Sequence, residues 1–88
     1  MFRLWGKIWK DNRLVRDTVI EDDREETRTH KVFQALEDIC REFDLSKPIW
    51  LESNITEFKR GSKTRFRQDN FIEEIEFDSL EIQVLEED

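Results

Sequence analysis

The dipeptide Asp11-Asn12 restricts the fold of this chain more than any other feature. Both residues tolerate the positive φ angles of a tight hairpin turn, and they separate two strand-like segments, Phe2 to Lys10 and Leu14 to Ile20. The pattern predicts a two-stranded antiparallel ribbon. With a two-residue turn, the numbers of opposed residues sum to 23, which sets Ile8 against Val15 and Leu4 against Val19 on one face. The other face then carries Trp9 against Leu14, Trp5 against Thr18, and Lys7 against Arg16. Strand alternation turns this second face away from whatever covers the first. Tryptophan and arginine are enriched in interface hot spots, so Trp5, Lys7, Trp9, Leu14 and Arg16 form the candidate interaction surface. It either meets a partner, a second copy of the chain being one candidate, or is folded over by Ile49-Trp50-Leu51 and the short helices that follow. Lys7 opposite Arg16 is an unfavourable like-charge pair, which the flanking indoles and an acid from the last segment would offset.

From Arg24 the period changes. Val32, Leu36, Ile39, Cys40 and Phe43 recur at three- and four-residue spacing, which lines one side of a helix. Asp22 or Asp23 can cap its start, Glu25 and Glu26 suit the first turn, and Pro48 prevents continuation far past Leu45. One long helix over about 24–44 is expected, with Leu36 and Ile39 buried against the ribbon.

Ile49-Trp50-Leu51 reads as a short strand or a buried crossing. Asn54-Ile55-Thr56-Glu57 and Asn70-Phe71-Ile72-Glu73 each place Asn three residues ahead of Glu, as in a capping box, so each is expected to open a short helix, the first ending near Gly61. Leu80, Ile82 and Val84 alternate with polar residues as a half-buried strand does. A two-stranded ribbon is marginal alone, so a strand at about 79–85 should join it as a third antiparallel member. The expected fold class is α+β: a small antiparallel sheet, from the N-terminal hairpin and a C-terminal strand, packed on one long helix with one or two short helices. No linker or repeat divides the chain, so residues 1–88 read as a single domain.

Charged residues make up 42% of the 88 and would favour disorder, but seven Phe and three Trp supply large rings for a thin core. The net charge of −7 is blocked: residues 1–20 sum to +3, 21–46 to −5, 47–72 to +3 and 73–88 to −8. The single Cys40 cannot form an internal disulfide, the first ten residues lack a signal-peptide core, and no run approaches about 20 apolar residues. A cytoplasmic protein without a membrane span is expected.

Lys59, Arg60, Lys63, Arg65 and Arg67 put five cations into nine residues around Phe66, which is how a segment that tracks a nucleic-acid backbone is built. Glu73 to Asp88 hold eight acids and no base, and would neutralise that segment if folded against it. Nucleic acid is therefore the alternative partner, behind protein. Catalytic chemistry has little to stand on. His30 and Cys40 are ten residues, or roughly 15 Å, apart on one predicted helix. Cys40 lies on the apolar stripe, and Glu26 with His30 lacks further metal ligands. Gly61-Ser62-Lys63-Thr64 misses the first glycine of a phosphate loop and interposes Ser62 before the lysine. No catalytic, cofactor or metal site is expected.

The phrases Leu4-Trp5-Gly6-Lys7-Ile8, Lys10-Asp11-Asn12-Arg13, Lys63-Thr64-Arg65-Phe66 and Gln68-Asp69-Asn70-Phe71-Ile72-Glu73-Glu74 resemble short hypothetical proteins of clostridia-type Gram-positive bacteria. The resemblance implies a bacterial cytosolic origin and carries no activity or site residue. The leading expectation for function is a non-enzymatic protein-protein interaction module, with self-association as one form of it.

Overall fold

Two antiparallel strands open the fold in a computed structural model that describes residues 1–87: β1, Phe2–Lys10, and β2, Arg13–Asp22. Asp11 at φ 53° and Asn12 at φ 63° make the left-handed two-residue turn between them. The register follows the sum rule for Trp9↔Leu14 and then breaks. Ile8 pairs with Arg16, leaving Val15 as the extra residue of a β-bulge. Beyond it every pairing shifts by one, giving Lys7↔Asp17, Trp5↔Val19 and Leu4↔Ile20. A one-residue slip moves a side chain to the opposite face. Val19 therefore stands beside Trp5 and not Leu4, and Val19 and Val15 are 42% and 49% exposed, not helix-covered. Arg16 leaves the tryptophan face and sets its guanidinium 4.7 Å from the Phe43 ring centroid. Lys7 gains an acid across the ribbon where a like charge was expected.

β4, Ser79–Glu86, pairs antiparallel with β1, as its alternation implied. A further strand, β3, Lys63–Phe66, was not expected; it pairs with β4 and completes a sheet of order β2-β1-β4-β3.

α1, Arg28–Glu42, has 15 residues, shorter at its start than the expected 24–44. Strand β2 runs through Asp22, so the cap falls to Thr27, whose Oγ1 accepts the His30 N–H at 3.2 Å; Glu25 and Glu26 lie ahead of the helix and its first turn holds no acid. Asp44 at φ 57° ends it. The Leu45 N–H reaches the Cys40 carbonyl at 2.8 Å and the Asp44 N–H the Arg41 carbonyl at 3.3 Å, a Schellman motif with aspartate in the usual glycine place. Val32, Ala35, Leu36, Ile39 and Cys40 are buried along one stripe. Ile39 lies against β1 at Gly6, where a Cβ would come within 2.7 Å of Ile39 Cγ2; only glycine lets the helix approach this closely.

α2, Glu52–Gly61, begins before Asn54, which sits in its first turn and not at its cap. The Leu51 N–H donates to Asn54 Oδ1 at 3.0 Å. Asn70 likewise closes a 3-10 turn, Gln68–Asn70, accepting the Arg67 N–H at 2.9 Å, and no helix follows it. The two buried asparagines meet: Asn70 Nδ2 donates to Asn54 Oδ1 at 2.7 Å and to the Ile49 carbonyl at 2.7 Å, while Asn54 Nδ2 donates to Thr64 Oγ1 and the Arg65 carbonyl, both at 2.9 Å. This network fastens α2, β3 and the 3-10 turn together.

Ile49-Trp50-Leu51 is irregular, neither strand nor helix. Trp50 packs edge-on to Phe33, Phe58 and Phe66 with centroids 5.8, 5.5 and 5.0 Å away. Phe66 shares its side of the sheet with Leu80 and Ile8, so α1, α2 and Trp50 form one layer over Leu4, Ile8, Phe66, Leu80 and Ile82. The alternative in which 49–51 and the short helices cover the Trp5 face is thereby overturned. Among the described residues that face has no second layer.

Candidate interaction surface on the open sheet face

Hydrogen-bonded registers align one row of side chains across all four strands: Asp17 of β2, Lys7 of β1, Glu81 of β4 and Arg65 of β3. Trp5 and Trp9 stand on either side of Lys7 along β1, both half-buried. Lys7 Nζ lies 3.3 Å from Glu81 Oε1, 3.0 Å from Gln83 Oε1 and 3.9 Å from the Trp5 ring centroid. Trp9 Nε1 donates to Glu81 Oε1 at 2.8 Å, and Trp5 Nε1 donates to Asp17 Oδ2 at 2.9 Å. Arg65 sits 3.7 Å from Glu81 with its guanidinium 5.2 Å from the Trp9 centroid. Lys7 and Glu81 side chains are each only 8% exposed on a face that nothing covers. Their neighbours, chiefly the two indoles, exclude water from the pair, and the charge-assisted bonds offset the desolvation that this costs. One row further, Arg3 bridges Glu21 at 3.0 Å and Glu86 at 3.4 Å.

Of the five residues expected on this surface, the fold brings together Trp5, Lys7, Trp9 and Leu14, and places Arg16 on the opposite face. Asp17, Val19 and Arg65 belong to it and were not foreseen, and Glu81 is the acid of the last segment that was expected beside Lys7 without a residue number. Glu81 could have been found from alternation, since flanking Leu80 and Ile82 both point into the core.

The basic segment is split. Lys59 and Arg60 close α2, Lys63 and Arg65 lie on the open side of β3, and Arg67 follows the strand. Arg60, Lys63, Arg65 and Arg67 border a shallow depression that also holds Glu57. Among the described residues, Arg65 is the one cation of the five with an ion pair. Glu81 is the acid of the last segment that reaches it; Glu86 goes instead to Arg3 and the terminal amine, and Glu87 to Arg28. Asp88 lies outside the described residues.

Other candidates resolve plainly. Burial pushes the Cys40 thiol up to about 11, leaving it a poor nucleophile. His30 Nδ1 and Glu26 Oε1 form an exposed pair at 3.0 Å, and among the described residues no three potential metal ligands converge. Ser62, left-handed at φ 56°, donates its N–H to the Phe58 carbonyl and ends α2, so Gly61-Ser62-Lys63-Thr64 is a helix end running into a strand. A second apolar groove lies between the helices, lined by Val32, Phe33, Trp50, Ile55 and Phe58. Trp50 Nε1 is buried there without a hydrogen-bond partner among the described residues.

Fold and surface together define a two-layer α+β protein with an open, tryptophan-bearing antiparallel sheet. No family model, curated protein or solved structure matches this chain. No described helix is long and apolar enough to cross a membrane.

Proposed function

We propose that the protein is a non-enzymatic protein-protein interaction module of the bacterial cytosol that binds through the open face of its sheet. The observation that carries this reading is the preassembled Trp5, Lys7, Glu81 and Trp9 cluster on a face without a covering layer. Its polar atoms are already paired, so a partner meets a surface whose side chains lose little further freedom on binding. Two indoles and Arg65 supply hot-spot chemistry, and Leu14 and Val19, each 42% exposed, extend the apolar area toward the β2 edge. A photo-crosslinking amino acid placed at position 19, compared with one at exposed position 34 on the far side of α1, tests it in the producing cell. Protein adducts from position 19 alone are expected. Equal yields from both positions, or none from 19, overturn the reading.

A second reading is favoured by one observation: Lys59, Arg60, Lys63 and Arg67 have no ion pair among the described residues. Such a cluster would hold single-stranded nucleic acid weakly, neutralising at most about five phosphates, with log K falling by at most about 3.5 per tenfold rise in salt. Fluorescence anisotropy of a labelled oligonucleotide across a salt series measures this slope. Tight binding at about 150 mM salt would place this reading first.

A further inference from the structure

We infer that the partner on the open face is a second copy of this chain, held about a two-fold axis that runs parallel to the strands between β1 and β4. The inference rests on the interaction reading above and names the occupant of the same surface. The row Asp17, Lys7, Glu81, Arg65 alternates in sign across the sheet: minus, plus, minus, plus. Stacking two such sheets face to face about this axis sets β2 over β3 of the other copy and β1 over β4, at about 10 Å. Asp17 then meets Arg65 of the second copy, twice, while the shielded Lys7 and Glu81 of one copy lie over Glu81 and Lys7 of the other with charges of opposite sign. The Arg3 row obeys the same rule, because Arg3 comes over Glu86. A two-fold axis in the sheet plane but perpendicular to the strands would instead lay β2 on β2 and β3 on β3, acid against acid and base against base. Charge thus selects one of the two face-to-face arrangements.

In the accepted arrangement Trp5 and Val19 lie over Gln83 and the aliphatic stem of Lys63, since those four share the next row. Four strands about 4.8 Å apart and about seven residues long present a flat area on the order of 400 Å² per copy. That lies below the standard size of stable interfaces, so the dimer is weak and its formation falls as salt rises.

Sedimentation velocity on two single variants and their mixture tests the axis. Asp17→Lys alone and Arg65→Glu alone each set like charges against each other at both symmetry-related contacts and should weaken dimerisation about tenfold or more. The equimolar mixture should recover dimers, because each reversed column then meets its opposite. Should circular dichroism find Arg65→Glu unfolded beside Glu81, Val19→Lys tests the axis one row away without touching the cluster: it sets a cation over Lys63 at both contacts and should weaken dimerisation, and mixing it with Lys63→Glu, which alone opposes no like charges, should restore one of the two contacts. Dimeric wild type with a mixture no better than either variant overturns this axis. Monomeric wild type with position-19 adducts to other proteins overturns the second copy and leaves the interaction reading standing. Monomeric wild type with no such adducts removes both.

Discussion

The two faces of one sheet, built from alternate residues of the same strands, reach low exposure by different physics. On the covered face Leu4, Ile8, Leu80 and Ile82 are at most 5% exposed because two helices and Trp50 lie on them. On the open face Lys7 and Glu81 are 8% exposed because their neighbours on the same face crowd around them. Burial on the first face is non-directional and gains free energy roughly in proportion to apolar area. Burial on the second gains little by itself and persists only while every polar atom keeps its partner. The covered face should therefore fail through lost volume, and the open face through a lost hydrogen bond.

The largest expected effect belongs to the covered face: Leu36→Ala should cost about 2 to 5 kcal/mol, read from urea denaturation with an unchanged slope. Next is Glu81→Ala, which strands the Trp9 indole N–H, leaves the Lys7 ammonium with the neutral Gln83 and the Trp5 ring in place of a carboxylate, and should cost about 2 to 4 kcal/mol. A loss similar to that of an ordinary surface substitution would mean that the cluster contributes nothing to folding and would erase the contrast. Gly6→Ala probes where the helix touches the sheet: the added methyl must displace Ile39, and thermal stability should fall by an amount equivalent to about 1 to 3 kcal/mol. The smallest effect is Val19→Ala on the open face, expected within about 0.5 kcal/mol of wild type. A loss as large as that of Leu36→Ala would mean that Val19 belongs to a core.

How much could be read from the chain follows the range of each interaction. Asp11 and Asn12 announced the turn because tolerance of positive φ is a local property of Asp and Asn, yet the bulge at Val15 has no such mark, and it misplaced Val19 and Arg16. The apolar stripe of α1 was legible. Its start was not, because acids from Glu21 to Glu26 offer several caps and only the reach of β2 to Asp22 leaves the role to Thr27. Asn54 and Asn70 were recognised as helix-start residues but in the wrong place, since a side chain that bonds a backbone N–H three residues earlier leaves the same local spacing as one that caps. Their bond to each other spans 16 residues and has no local signature. β3 was missed because four residues offer only Thr64 and Phe66 as alternation. Trp9 and Glu81 are 72 residues apart, so half of the open-face cluster becomes visible only once β4 is set beside β1.

Three indole N–H signals report separately on the two faces: Trp5 bonded to Asp17, Trp9 bonded to Glu81, and Trp50 buried without a partner under the helices. A dilution series followed by proton-nitrogen correlation spectra reads all three at once and tests the open face most directly. If the open face is the contact between copies, the Trp5 and Trp9 signals shift together as concentration falls, along with the Val19 and Lys63 amides, while Trp50 stays fixed. Shifts at Trp50 and Ile55 with Trp5 and Trp9 unmoved would transfer the contact to the groove between the helices and contradict the account.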